Sequence, residues 1–278
     1  MKKNTIILMA LLLSTLSHGE NTILKFSYEN FDFENSKNKY QGKRVGLIVT
    51  HDTEDALYQI AYDKTNTDTY KPPLTQDLHV NKYYLKYTRK LGNKQRLSFS
   101  YVRIDDNLMQ EVDGGDIYGL GYKYDAFSLS QYLSDYDHFN VYQTDLKYTF
   151  KKSFGKLFTS ATLMGKYIYL EDRKSNGFSA NAKRDYFTPG FRVHAHYDEY
   201  HAGVGAYFGK RIFAVMNDGF KVQHHAMEFD KTYMIGVGKH FGDVDLSVKY
   251  VYQKATEIPI HNDNVKVENI ILQFAYRF

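Results

Sequence analysis

The sequence predicts an all-β protein: a transmembrane, antiparallel up-and-down β-barrel of about fourteen strands, with a count of twelve also compatible. Three observations carry that expectation. The chain ends on Ile270, Leu272, Phe274, Tyr276 and Phe278, large apolar residues at every second position, with Asn269, Gln273, Ala275 and Arg277 between them. A period of two gives a strand one greasy face and one wettable face. The chain carries 26 Tyr and no Trp; Tyr suits a membrane interface, because its ring is apolar and its hydroxyl is wet. Finally, no apolar stretch is long enough to cross a bilayer as a helix, so any span must be built from strands closed on themselves.

At the N-terminus, Lys2 and Lys3 precede an apolar run from Ile6 to Leu13, followed by Ser17-His18-Gly19. This is the pattern of a secretory signal peptide over residues 1–19, cleaved before Glu20. There is no Cys, so neither a disulfide framework nor a lipid anchor at the cleavage site is expected. Residues 20–278 read as a single barrel domain. Mean hydropathy is negative, as a barrel requires when half of every strand faces water. The formal net charge of +4 shrinks when Lys2 and Lys3 leave, and is too small to indicate nucleic acid as a partner.

Alternation places strands at 23–33, 43–51, 56–65, 78–91, 95–106, 116–124, 127–136, 140–151, 156–171, 186–197, 200–212, 230–241, 244–257 and 265–278. Alternation is weakest in the first, near Asn30, and in the seventh, where Gln131 falls on the apolar face. Connections are alternately short and long. The short ones fall near 52–55, 92–94, 125–126, 152–155, 198–199 and 242–243. The longer ones fall at 34–42, 66–77, 107–115, 172–185, 213–229 and 258–264, and the short link at 137–139 breaks the pattern. Residues flanking a tight turn pair directly and share a face. Tyr87 should therefore meet Phe99, Tyr122 meet Leu129, Val193 meet Val204, Phe191 meet Ala206, Val237 meet Val248, and Tyr233 meet Tyr252. Every one of these pairings keeps apolar residues on one face, as a closed sheet requires.

With its terminal Phe278 and the alternating Phe274 and Tyr276 before it, the chain resembles Gram-negative outer-membrane β-barrel proteins. Small monomeric porins of the OmpG type are nearest in size. The resemblance is to an architecture across nearly the whole mature chain. It implies a cell outer-membrane location, assembly by the barrel-assembly machinery through the C-terminal strand, outer-membrane lipid around the barrel, and a monomer. A soluble secreted barrel holding a lipid would bury the apolar faces inward, and it leaves the alternating loop lengths and the terminal Phe unexplained.

The non-apolar strand faces place Lys25, Arg44, Lys82, Lys86, Lys123, Lys147, Lys166, Arg192, Arg211, Lys249 and Arg277 in the lumen. The expected acids are fewer: Glu29, Asp63, Asp145 and Asp245, with Asp145 near Lys147 and Asp245 near Lys249. A basic pore with low-dielectric walls concentrates anions. The expected function is a porin passing small hydrophilic solutes by passive diffusion, weakly anion-preferring, with no inserted loop forming a constriction. The alternative is a non-conducting barrel, an adhesin or structural protein whose loops 172–185 and 213–229 meet a partner.

Hydrolase motifs do not complete. Arg173-Lys174-Ser175-Asn176-Gly177 looks like the His-x-Ser-Asn-Gly of outer-membrane phospholipase A, but Arg173 stands where the general base belongs. Asp135-Tyr136-Asp137 and Asp77-Leu78-His79 match omptin protease patterns in reversed chain order. No enzyme and no cofactor are expected. His194, His196 and His201 join the lumen list, with His196 facing His201 across a hairpin. Imidazoles so placed can share zinc. With no evident carboxylate partner on that face, they read as hydrated pore lining, with no metal.

Overall fold

The computed structural model describes residues 21–92, 94–173 and 176–278. The expected signal peptide lies outside them, as do Lys174 and Ser175 of the phospholipase-like stretch. The strands are β1 (Thr22–Glu34), β2 (Lys39–Asp52), β3 (Ala56–Thr69), β4 (Leu78–Lys90), β5 (Gln95–Asp106), β6 (Asp116–Tyr124), β7 (Phe127–Tyr136), β8 (Phe139–Phe154), β9 (Leu157–Glu171), β10 (Asp185–Tyr197), β11 (Tyr200–Tyr207), β12 (Val215–Met216), β13 (Lys221–Val222), β14 (Met227–Phe241), β15 (Val244–Glu257) and β16 (Asn262–Arg277). Fourteen of them close into one antiparallel barrel, which settles fourteen over twelve. β12 and β13 pair only with each other and lie inside it.

The register is the one alternation requires. Tyr87 faces Phe99, Tyr122 faces Leu129, Val193 faces Val204, Val237 faces Val248 and His196 faces His201. The short turns are made by residues that tolerate a left-handed backbone, among them Asp125 (φ 52°), Asp198 (φ 51°) and Gly242 (φ 61°). Closure comes from β1 against β16, with Leu24 facing Tyr276 and Phe26 facing Phe274. The terminal Phe278 adds a backbone hydrogen bond from its N–H to the Thr22 carbonyl, 2.9 Å. Its ring meets Tyr276 edge-on at 4.8 Å.

Outside, the apolar faces form a continuous exposed belt. Leu85, Leu163 and Ile235 are 51, 57 and 54 % exposed, an apolar surface that water does not tolerate at this extent. Toward the long-loop end, tyrosines pair across strands, Tyr62 with Tyr83 and Tyr101 with Tyr118. Their hydroxyls find polar partners: Tyr62 donates to Asn81 Oδ1 and Tyr101 to Asp116 Oδ1, each at 2.7 Å. That is the chemistry of an interfacial girdle.

The interior differs from the expected open pore. Toward the long-loop end the inward faces are themselves apolar: Leu78, Val80, Ile104, Ile117, Phe139, Val141, Ile168 and Leu170 are all buried. They pack with Ile212, Phe213, Ala214 and Val215 from the segment between β11 and β14, and with Val112 from the 107–115 connection. β11 ends at Tyr207, five residues before the end expected from alternation, because at Gly209 (φ 85°) the chain turns inward. A Cβ at Gly209 would press on the Phe187 carbonyl at 2.6 Å, so this turn needs glycine.

Candidate functional site

The segment 208–226 is a plug. Its β12–β13 hairpin crosses the lumen and is gripped by inward side chains from strands on opposite walls. On β8, the Gln143 amide makes two bonds to one residue: it accepts from the Val215 N–H at 2.8 Å and donates to the Val215 carbonyl at 2.7 Å. From β9, Lys166 donates to the same carbonyl at 3.0 Å; from β4, Lys82 donates to the Val222 carbonyl at 3.2 Å. An unpaired strand edge in a dry interior would cost several kcal/mol in lost hydrogen bonds; here charged and amide side chains satisfy it.

The hairpin tip, Asn217-Asp218-Gly219, reaches past the apolar half into the basic half. All three residues have positive φ (52°, 57° and 103°). The Asp218 carboxylate pairs with Lys147, its carbonyl accepts from Lys86 at 2.8 Å, and Asn217 Oδ1 accepts from Arg192 at 2.9 Å. Burial favours the neutral acid, but Lys147, Lys86 and Lys166 outweigh it and hold the Asp218 carboxyl down at about 2. Beyond the tip, Lys221 reaches Glu29 on β1 at 3.3 Å. Burial and the neighbouring Arg44 push the Lys221 ammonium down to about 8 despite that partner. The plug's own carboxylate thus sits among the lysines of the basic half.

Between the tip and the short-turn end lie two neighbouring cavities of about 300 and 340 Å³, with Arg192, His194, Tyr207 and Asn217 lining both. Of the residues expected in the lumen, Lys25, Arg44, His201 and Lys249 line the first, and Lys86, Lys123, Lys147 and Lys166 the second. Arg277 has the inward parity of Ile271 and Gln273, at the short-turn rim, and is exposed. Lys82, Lys166 and Arg211 are buried rather than solvated. Arg211 belongs to no strand; it bonds Gln223 Oε1 at 3.0 Å and Thr232 Oγ1, between the Tyr207 and Phe229 rings.

The expected ion pairs are redistributed. Asp145 takes Lys166 in place of Lys147, and Asp245 takes two histidines in place of Lys249. Glu29 takes Arg44, and Asp63 takes the Tyr84 hydroxyl at 2.6 Å with Lys82 at 4.0 Å. Of the plug residues, sequence alternation placed only Arg211 in the lumen, and that as part of a strand, since it carries no signal for a loop folding inward. The one available hint was Phe213-Ala214-Val215-Met216, an apolar run in a connection that should have been wet.

At the other end of the plug, His224 is buried with Nε2 3.2 Å from Asp106 Oδ2, and Lys39 Nζ lies 3.0 Å from His225 Nδ1. Burial, with Lys82 beside His224 and Lys39 beside His225, holds both imidazoles below their ordinary range; the Asp106 carboxylate only partly offsets this for His224. The protease-like residues do not meet. Asp77 bonds the Thr69 N–H at 3.1 Å and Lys71 at 3.0 Å, His79 bonds Asn66, and Asp137 pairs with His138.

Neither a protein-family model nor a curated protein sequence matches the chain. Solved structures do. A bacterial polysaccharide outer membrane secretin is 11 % identical at a TM-score of 0.56, over 93 % of this chain and 99 % of the other. The outer membrane protein Omp33 of Acinetobacter baumannii is 10 % identical at 0.51, over 94 % and 100 %. The toluene transporter TodX of Pseudomonas putida is 7 % identical at 0.54, over 95 % and 91 %. The fold is that of outer-membrane β-barrel proteins. At these identities the likeness is one of architecture and carries no ligand across.

Proposed function

We propose that this protein is an outer-membrane channel for small hydrophilic solutes, anion-preferring, and closed in the present conformation by its own 208–226 segment. The short turns, with the strand ends at Thr22 and Arg277 beside them, then face the periplasm. Residues 1–19 direct export, the barrel-assembly machinery reads the C-terminal strand, and the barrel works as a monomer surrounded by outer-membrane lipid. Transport is passive and needs no turnover chemistry. The observation that carries the reading is the basic half-lumen: Lys25, Lys86, Lys123, Lys147, Arg192 and Lys249 line the cavities, while Glu29, Asp145 and Asp245 are each already paired. Excess positive charge between low-dielectric walls attracts anions. The seal above it is an internal connection rather than a separate domain, so it can leave without unfolding the barrel.

The alternative of a non-conducting barrel draws on the dry core around Phe213. It no longer has 213–229 as a partner-binding loop, because that segment is buried. Planar-bilayer recording separates the two readings. The channel reading expects the wild type to show openings, and a variant with 212–225 replaced by a short Gly-Ser linker to conduct continuously with a reversal potential on the anion side. A wild type that never opens while the linker variant conducts would establish the non-conducting barrel.

A further inference from the structure

The geometry points to a transition-metal site of the zinc type at the short-turn mouth of the lumen, built by His201, His240 and Asp245 with His196 as a further donor. It rests on its own arrangement of side chains and not on whether the barrel conducts. His201 Nε2 and His240 Nδ1 both lie against one oxygen, Asp245 Oδ2, at 2.8 and 2.9 Å. The His201 and His240 ring centroids are 5.0 Å apart. The His196 ring stacks on both, at 5.5 and 6.3 Å, and makes no hydrogen bond among the described residues. Two imidazoles and a carboxylate, with an imidazole or water in fourth place, form a donor set that zinc accepts at bond lengths of about 2.0–2.2 Å. A tetrahedral arrangement with such bonds needs ligand atoms roughly 3.3–3.5 Å apart, and the ligand atoms of His201, His240 and Asp245 already lie within 4.8 Å of one another.

The four residues come from four neighbouring strands, β10, β11, β14 and β15, close to their tight turns. This fixes their backbone spacing before any ion arrives. His240 faces Asp245 directly, but His201 is two strands from it, with Gly238 between. A Cβ at Gly238 would overlap the His201 ring. The missing side chain therefore lets His201 lie across β14 and reach β15. Periodicity alone hides this, since it shows which residues share a face but not which reach past a neighbour.

The surroundings narrow the ion. Lys25 and Lys249 share the cavity wall with Asp245. A hard cation such as calcium or magnesium needs several oxygen ligands and would meet one carboxylate amid ammonium groups. An imidazole-seeking ion gains more from the nitrogen donors.

The test is calorimetric titration of the folded, detergent-solubilised barrel, carrying no polyhistidine tag, with zinc chloride alone. Heat-modifiable migration serves as the check that each variant is folded. The expected result is one saturable site in the wild type. Asp245→Asn and the pair His201→Asn with His240→Asn should each weaken it by at least about tenfold, the size of loss that even an outer-shell change produces. His138→Asn, on a remote exposed turn, should leave it intact. Gly238→Ala keeps every ligand yet displaces His201, and should also weaken binding. Cobalt should give a tetrahedral visible spectrum in the wild type and lose it in the double variant. Equal zinc affinity in the double variant, or no saturable binding in the wild type, would overturn the proposal.

Discussion

Phe213→Ala tests whether the plug is held by packing. The Phe213 ring is fully buried and lies 4.9 Å from Phe139, 5.7 Å from Phe178 and 5.9 Å from Tyr136. Phe139 and Tyr136 belong to the barrel wall, so their contacts with Phe213 exist only while the plug is docked. Truncating a core Phe to Ala costs about 3–5 kcal/mol. At about 1.4 kcal/mol per tenfold, the docking equilibrium should move by roughly two to three and a half powers of ten. Hydrogen exchange reads this directly. The hairpin amide of Gln223, bonded to the Ala214 carbonyl at 2.9 Å, should lose protection by that factor, while amides within β4 and β8 keep theirs. Bilayer recording should show a matching rise in open probability. Unchanged protection at Gln223 would refute the view that apolar packing holds the segment. Loss of protection in the wall strands as well would mean that plug and barrel are one cooperative unit.

Undocked, His224 and His225 should titrate near pH ~6.5, but docked they are held lower and bind fewer protons. Docking is therefore strongest above that value and weakens as pH falls below it; conductance should rise between pH 7.5 and pH 5, and flatten in His224→Asn with His225→Asn. In the plug-replaced variant, Arg192→Glu with Lys249→Glu should shift the reversal potential in a potassium chloride gradient toward cations, and an unmoved potential would mean that neither side chain meets the permeating ions. Deleting Phe278 removes its bond to Thr22 and an aromatic contact worth about 0.5–1.5 kcal/mol; barrel insertion should slow and protease-sensitive chain accumulate, which gel migration and limited proteolysis will report.

The sequence by itself determined the barrel. A period of two is a local property, and it fixes which face of each strand points out of the barrel. Tight turns then force the register, so Val237 facing Val248 and His196 facing His201 were legible from spacing alone. The inward parity of Lys86, Arg192 and Lys249 followed from the same rule. What lies inside was decided only by tertiary structure. The apolar inward residues Ile104, Ile117, Ile168 and Leu170 make sense only when 208–226 folds back on them, a contact between segments far apart in the chain. Likewise Asp145 chose Lys166 on the next strand over Lys147 on its own, and Asp245 chose His201 from two strands away. In a barrel, partners are set by shear and by the gaps that glycines leave, as at Gly238. Alternation fixes which way a side chain points, and only the closed sheet fixes which other side chains it can reach.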